Sequence, residues 1–130
     1  MIVADTDVLI DALRGRDPAV ARIALELKAG HLFTTAITAF ELLSGAQTTR
    51  EQDVVGSLLA ALRILPLTEQ SAEEAAEIRR HLGSSGTPLP TADCLIAGIC
   101  RAHRAILLTR NQKHFERVPG LALGRLSPGR

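Results

Sequence analysis

Three aspartates, Asp5, Asp7 and Asp11, crowd the opening run MIVADTDVLID. Aspartate is a poor strand residue, and like charges this close repel. Such acids either cap a helix or surround something positive. Glu41 lies in TAITAFELLSGA, a segment otherwise almost wholly apolar or small. A glutamate in such a helix is seldom fully buried unless paired. Asp93 lies in TADCLIAGIC, again a buried-looking helix, and Thr109, Arg110 and Asn111 follow the apolar run AILL. Carboxylates brought to one rim need a counter-charge, and hard divalent cations supply it. Mg²⁺ and Mn²⁺ take oxygen ligands, keep much of their water and are held by one or two carboxylates. Such an ion turns water into a nucleophile and steadies charge developing on a phosphate. The chain carries no G-x-S-x-G elbow and no glycine-rich phosphate loop, so no other nucleophilic engine competes.

Each acid also has a plainer role. Asp5 can be the N-cap of the helix after it. Asp7 can complement the dipole of the first helical turn. Asp11 reads as part of a solvated helix face, and Asp93 as a first-turn acid. His31, His81 and His103 read as surface residues, while His114 follows the last apolar strand and is within reach of the rim.

The elements that must position these residues alternate along the chain. MIVA, HLFTT, ILPL and AILLT read as short buried strands, and LALGRL as a last edge strand. TDVLIDALRG reads as a helix closed by Gly15. Pro18 opens a second helix, whose Val20, Ile23, Ala24 and Leu27 form one apolar stripe and which Gly30 stops. AITAFELLSGA is a third helix, with Phe40 and Leu43 on one side. TREQDVVGSLLAALR is a fourth, with acids in its first turn and an arginine in its last. TEQSAEEAAEIRRHLG runs from a Thr68 cap to Gly83, SSGTPLP is a loop, and TADCLIAGICRAH is a helix beginning near Thr91. NQKHF is a short turn or helix.

Strands alternating with amphipathic helices imply a three-layer α/β fold. Its central, mainly parallel sheet of four or five short strands is flanked by helices. In such sheets the site lies outside the carboxyl ends of the strands. Asp5 ends the first strand, Thr109 and Asn111 end the fourth, and Glu41 and Asp93 belong to helices that begin on that edge. Acids far apart in sequence then meet at one rim.

At 130 residues the chain reads as a single domain, 1–130. It is 46% hydrophobic with only 2% aromatics, no Trp and no Tyr, which gives an aliphatic core and removes the stacking platforms of single-strand binders. A net charge of +1 excludes a global polycation. The cysteines, Cys94 and Cys100, have no CxxC spacing and fit reduced thiols of a cytoplasmic protein. The N-terminus lacks a basic segment of the secretory type, and no apolar run approaches membrane-spanning length.

Three segments together resemble the PIN-domain family and, within it, the VapC-type toxins of toxin–antitoxin systems. VADTDVLIDAL is similar to the family's opening motif, in which the first Asp binds metal and an Asn or Asp follows two positions later. TTAITAFELLSGA is similar to the second, whose Glu corresponds to Glu41. TADCLIAGICRAHRAILLTRN is similar to the third, in which Asp93 precedes an Ile-Ala helix and the last strand runs into Thr-Arg-Asn or Thr-Arg-Asp. The resemblance implies Mg²⁺- or Mn²⁺-dependent endoribonuclease activity, a homodimer and neutralisation by a small VapB-type antitoxin. It makes Asp5, Glu41 and Asp93 the catalytic and metal-holding residues, supported by Asp7, Thr109 and Asn111. Arg110, with Arg79 and Arg80, is a candidate for contacts to the RNA phosphates. One departure stands out: where the family commonly has a fourth acid, this chain has Asn111, which offers an oxygen but no charge.

Two other classes fit less well. The DTD after a strand faintly resembles haloacid-dehalogenase phosphotransferases, but Leu9 stands where their pattern needs Thr or Val, and neither Lys28 nor Lys113 is suitably placed. A PIN-like module that binds without cutting is the other alternative. Retention of Asp5, Glu41 and Asp93 together argues against it.

Overall fold

The computed structural model describes residues 1–127. The order is β1 (Ile2–Ala4), α1 (Thr6–Leu13), α2 (Ala19–Ala29), β2 (Leu32–Thr35), α3 (Ala36–Gly45), α4 (Thr49–Ala60), β3 (Arg63–Leu65), α5 (Glu69–Ser84), α6 (Thr91–Ala102), β4 (Ile106–Leu108), α7 (Gln112–Phe115) and β5 (Ala122–Gly124). The five strands form one sheet in the order β3-β2-β1-β4-β5, and every pairing is parallel.

Side chains alternate across this sheet, as strand geometry requires. Val3 and Leu107 point into a core with Ile78, Leu82, Ile96, Ile99 and Phe115, from the α5, α6 and α7 side. Ala4 and Leu32 point into a second core with Val8, Leu9, Ile23, Leu42 and Leu59, from α1 to α4. The three layers expected from the alternation of elements are therefore present. On the first side α5 and α6 approach closely at Gly98, where a Cβ would lie 2.7 Å from Ala75 Cβ and from Ser71 O.

The chain leaves β1 toward β2 and β3 on one side and later returns to place β4 on the other. The carboxyl ends of β1 and β4 thus flank the point where strand order reverses, the usual place for a site in an open α/β sheet.

Three local expectations are corrected. The fourth helix ends at Ala60, and Arg63 is not in its last turn but begins β3. A capping box between Thr48 and Glu51 sets the helix start, while Arg63 is taken by the sheet, paired in register with Phe33, its guanidinium 5.9 Å from that ring. Gly83 does not close α5. The helix runs on to Ser84, and Gly86, at φ +75°, makes the left-handed reversal that lets Thr87 N reach Leu82 O. On α2 the buried face is Ala19 and Ile23, with Val20 and Leu27 half-buried, and Ala24 is exposed.

Candidate active site

Asp5 leaves β1 and serves as the N-cap of α1. Capping and site membership coincide in this residue. One oxygen, Oδ1, accepts from Thr6 N at 2.8 Å. The other, Oδ2, accepts from the Thr109 hydroxyl at 2.7 Å. Asp5 is only 5% exposed. Burial, the nearby Asp7 and, more weakly, Asp93 raise its pKa from 3.8 to about 7, against the opposing effect of the Thr109 and Thr6 hydrogen bonds.

Asp7, in the first turn of α1, is drawn to the end of β4. Its Oδ2 accepts from Arg110 N at 3.1 Å and lies 3.4 Å from Thr109 Oγ1. Its Oδ1 is buried and finds no hydrogen-bond partner among the described residues. A buried carboxylate oxygen without a partner is costly, and burial holds this carboxyl above its ordinary range. Asp93, in the first turn of α6, is raised by burial and by Glu41, with His114 working in the opposite direction. Glu41, on α3, accepts from the Thr6 hydroxyl at 2.6 Å. The first turns of α1 and α6 and the middle of α3 bring these four acids to one edge, beside the end of β4.

Among the described residues, neither Asp5, Glu41 nor Asp93 forms an ion pair with Lys or Arg. No three His, Cys, Asp or Glu side chains among them converge closely enough to form a ready-made metal cage. The donor set is all oxygen, anionic and short of counter-charge, with Asp7 Oδ1 unpartnered. That chemistry fits a hard divalent ion held by one or two carboxylates together with its own waters.

Asp11 is not on a solvated face. It is 7% exposed, with Arg110 Nη1 3.2 Å from Oδ2 and Arg16 Nη1 3.8 Å from Oδ1. Arg110, expected to face substrate, is turned toward α1, where its Nε also lies 3.9 Å from Asp7 Oδ2. The pairing arises because β4 delivers residue 110 directly above α1. Asn111 is exposed and caps α7 without a side-chain hydrogen bond. Its backbone N donates to Thr109 Oγ1 at 3.0 Å. Arg79 reaches toward the start of α6, its Nη1 3.4 Å from Thr91 Oγ1, while Arg80 is exposed.

Sequence reasoning passed over Thr6 and Thr38. Thr38 is fully buried on α3, and its Oγ1 lies 3.0 Å from Thr6 Oγ1 and 3.4 Å from Thr35 Oγ1. The available signal was the density of threonines in TTAIT, since threonine is a weak helix former.

Beside Glu41 a groove of ≈ 440 Å³ opens between α1, α3 and α4. Ile10, Leu13, Leu42 and Val54 make its apolar floor and walls, and Arg14 and Arg50 also line it. On α3, Phe40 is 67% exposed and Leu43 50% exposed, so the side that carries them faces outward while Thr38, Ala39 and Leu42 face inward.

Residues 2–121 match the model of the PIN domain, and the chain belongs to that family. Its relatives are VapC-type proteins. The tRNA(fMet)-specific endonuclease VapC of Shigella flexneri is 30% identical over 121 residues, covering 90% of this chain and 91% of that one. Ribonuclease VapC10 of Mycobacterium tuberculosis is 34% identical over 115 residues, covering 88% and 86%. Among solved structures, DNA-bound VapBC from Salmonella typhimurium superposes with a TM-score of 0.88 at 27% identity, covering 97% of this chain and 98% of that one. VapBC2 from Rickettsia felis, bound to a promoter DNA fragment, gives 0.87 at 26% identity, covering 96% and 98%.

Proposed function

We propose that this protein is a Mg²⁺- or Mn²⁺-dependent endoribonuclease and the toxin of a toxin–antitoxin pair. The observation that carries the reading is the meeting of Asp5, Asp7, Glu41 and Asp93 at the switch point of the sheet, with three of the four forming no ion pair to Lys or Arg among the described residues. The names of the relatives, ribonucleases and a tRNA(fMet)-specific endonuclease, support RNA as substrate.

Asp5 and Asp93 would hold the ion, with Glu41 and Asp7 beside them. When bound, a divalent ion supplies the positive charge that acidifies water and offsets the charge of a phosphodiester undergoing in-line displacement. The chain's own groups do the orienting. Thr109 and Thr6 N fix both oxygens of Asp5. Thr6 Oγ1 fixes Glu41. Arg110 neutralises Asp11 and Asp7, so that their charge does not repel the phosphate backbone. Arg79 and Arg80 are exposed cations on α5, available to phosphates of the RNA.

The partner is a VapB-type antitoxin, as in the VapBC assemblies that superpose on this chain. In our reading an antitoxin helix or extended strand lies in the groove beside Glu41, its apolar side chains on Leu13, Leu42 and Val54. A basic antitoxin residue, best an arginine, then approaches the carboxylates. Exposed Leu25, Phe40 and Leu43 supply apolar surface for a homodimer. No described helix is long and apolar enough to cross a membrane. The reading places the protein in the cytoplasm, where its free, buried Cys94 and Cys100 are at home.

The test is cleavage of a panel of structured RNAs, initiator tRNA among them, with Mg²⁺, with Mn²⁺ and in excess EDTA. Metal-dependent cutting that Asp5→Asn and Asp93→Asn abolish supports the reading. Cutting in EDTA, or full activity in either variant, overturns the mechanism.

A further inference from the structure

Glu41 is the one acid of the rim that hangs from the middle of a helix with no backbone donor among its hydrogen bonds. Among the described residues its single side-chain partner is Thr6, whose Oγ1 lies 2.6 Å from Glu41 Oε1. The same oxygen lies 3.0 Å from Thr38 Oγ1, and Thr38 Oγ1 lies 3.4 Å from Thr35 Oγ1. Thr35 Oγ1 in turn accepts from Thr38 N at 3.1 Å, as the N-cap of α3.

Proton counting assigns the hydrogen of the Thr6 hydroxyl. A hydroxyl has one proton, and an ionised carboxylate can only accept. The Thr6 proton therefore goes to Glu41. Thr6 Oγ1 keeps Thr38 Oγ1 as its other hydroxyl neighbour at 3.0 Å, and Thr35 Oγ1 is directed at Thr38 Oγ1 across a longer 3.4 Å. Thr35 and Thr38 are fully buried, so no water replaces them.

We infer that Thr38 is a positioning residue for Glu41: acting through Thr6, it holds the carboxylate at the rim in the orientation that serves a divalent ion. The inference rests on the metal-dependent reading above. It explains why a threonine stands at buried position 38, which an aliphatic residue of the same shape would fill as well. Outer hydrogen-bond partners of metal-holding carboxylates are commonly worth about 10–100-fold in metal affinity.

The experiment is calorimetric titration of the metal-free full chain with Mn²⁺, without RNA, followed by RNA cleavage on the same samples. Thr38→Val keeps the shape and removes the hydroxyl. It should weaken Mn²⁺ binding about tenfold, and Thr38→Ser should restore it. In a Glu41→Gln background Thr38→Val should have no further effect. Thr6→Val, at a half-buried position, gives the same loss by removing the last donor and serves if Thr38→Val lowers the melting temperature too far to measure. Wild-type affinity in both valine variants overturns the inference, as does failure of Thr38→Ser to rescue or an undiminished Thr38→Val effect in the Glu41→Gln background. A wild-type chain that binds Mn²⁺ with this threonine dependence but cuts no RNA overturns the nuclease reading and leaves the positioning role standing. A wild-type chain that binds no Mn²⁺ overturns both.

Discussion

The Thr109 hydroxyl donates to Asp5 Oδ2 at 2.7 Å across 104 positions of sequence. This bond joins the ends of β1 and β4, the neighbouring strands that flank the reversal of strand order. It satisfies an oxygen of a carboxylate that burial and Asp7 have pushed up to about 7. Thr109→Val removes the donor without changing shape. The Asp5 carboxyl should rise further, divalent-ion affinity should fall about tenfold or more, and the fold should persist. Calorimetry with Mn²⁺ and a thermal melt check this. Unchanged ion affinity would mean that the hydroxyl serves only the turn at Asn111.

The acid cluster makes the metal-free protein sensitive to pH. Asp5 has a pKa near 3.8 when exposed and about 7 when folded. Between these values the folded chain binds a proton that the unfolded chain does not, so stability falls as pH rises through the window. Asp7 and Asp93 shift in the same direction. The melting temperature of the metal-free protein should therefore be higher at pH 5 than at pH 8. Asp5→Asn should raise it at pH 8 by about 4 °C or more and by less at pH 5, and saturating Mg²⁺ should flatten the profile. A melting temperature that climbs from pH 5 to pH 8 would contradict the placement of these acids.

Asn111 follows the end of β4, its backbone N donating to Thr109 Oγ1 at 3.0 Å, and the proposed site would gain an acid if it were aspartate. Its side chain is exposed and makes no capping bond. An aspartate there would add Coulomb attraction to a dication. Asn111→Asp should lower the metal concentration needed for half-maximal cleavage, while Asn111→Ala should be milder than Asp5→Asn or Asp93→Asn. A metal titration of cleavage rate for the four variants is the measurement. An unmoved midpoint in Asn111→Asp assigns the residue to the turn.

The groove beside Glu41 should answer to the antitoxin and not to RNA. Val54 is 45% exposed on α4 and lines it. Val54→Glu should fold normally, keep its cleavage rate and lose antitoxin affinity by about tenfold or more, since truncating or charging an apolar anchor costs 1–3 kcal/mol. Binding by calorimetry and cleavage in the presence of antitoxin read this out. Normal neutralisation of Val54→Glu would move the antitoxin elsewhere on the surface.

A stability prediction lies away from the rim. Arg101 on α6 donates to Glu74 Oε1 at 2.6 Å, to Glu77 Oε1 at 2.5 Å and to Pro119 O at 2.8 Å, fastening α5 and the segment before β5 to α6. Arg101→Ala should cost about 2 kcal/mol, the scale of a few partly exposed charge-assisted bonds, without altering metal affinity. Chemical denaturation measures it, and a loss below a few tenths of a kcal/mol would reduce the cluster to a surface ion pair.

The alternation of apolar strands with amphipathic helices settles the layers from sequence alone, because strand and helix periods bury different positions. The rule placing sites at strand carboxyl ends then selects Asp5, Glu41, Asp93 and Thr109 before any coordinates. The fates of Asp11 and Arg110 were not legible. On a helix wheel Asp11 belongs to solvent, yet β4 drops Arg110 onto it, and a contact between positions so far apart in sequence leaves no local pattern. Arg63 was lost to the helix pattern for the same reason, since a three-residue strand is decided by its neighbour Phe33. The threonine row from Thr35 to Glu41 is likewise a product of tertiary structure. The N-cap at Thr35 is a local signal, but the link through Thr6 requires α1 and α3 to meet, and a hydroxyl's partner is chosen by what the fold sets within about 3 Å of it. Residue types and their order carried the chemistry of this protein. The orientation of that chemistry, which oxygen receives which proton, came from packing.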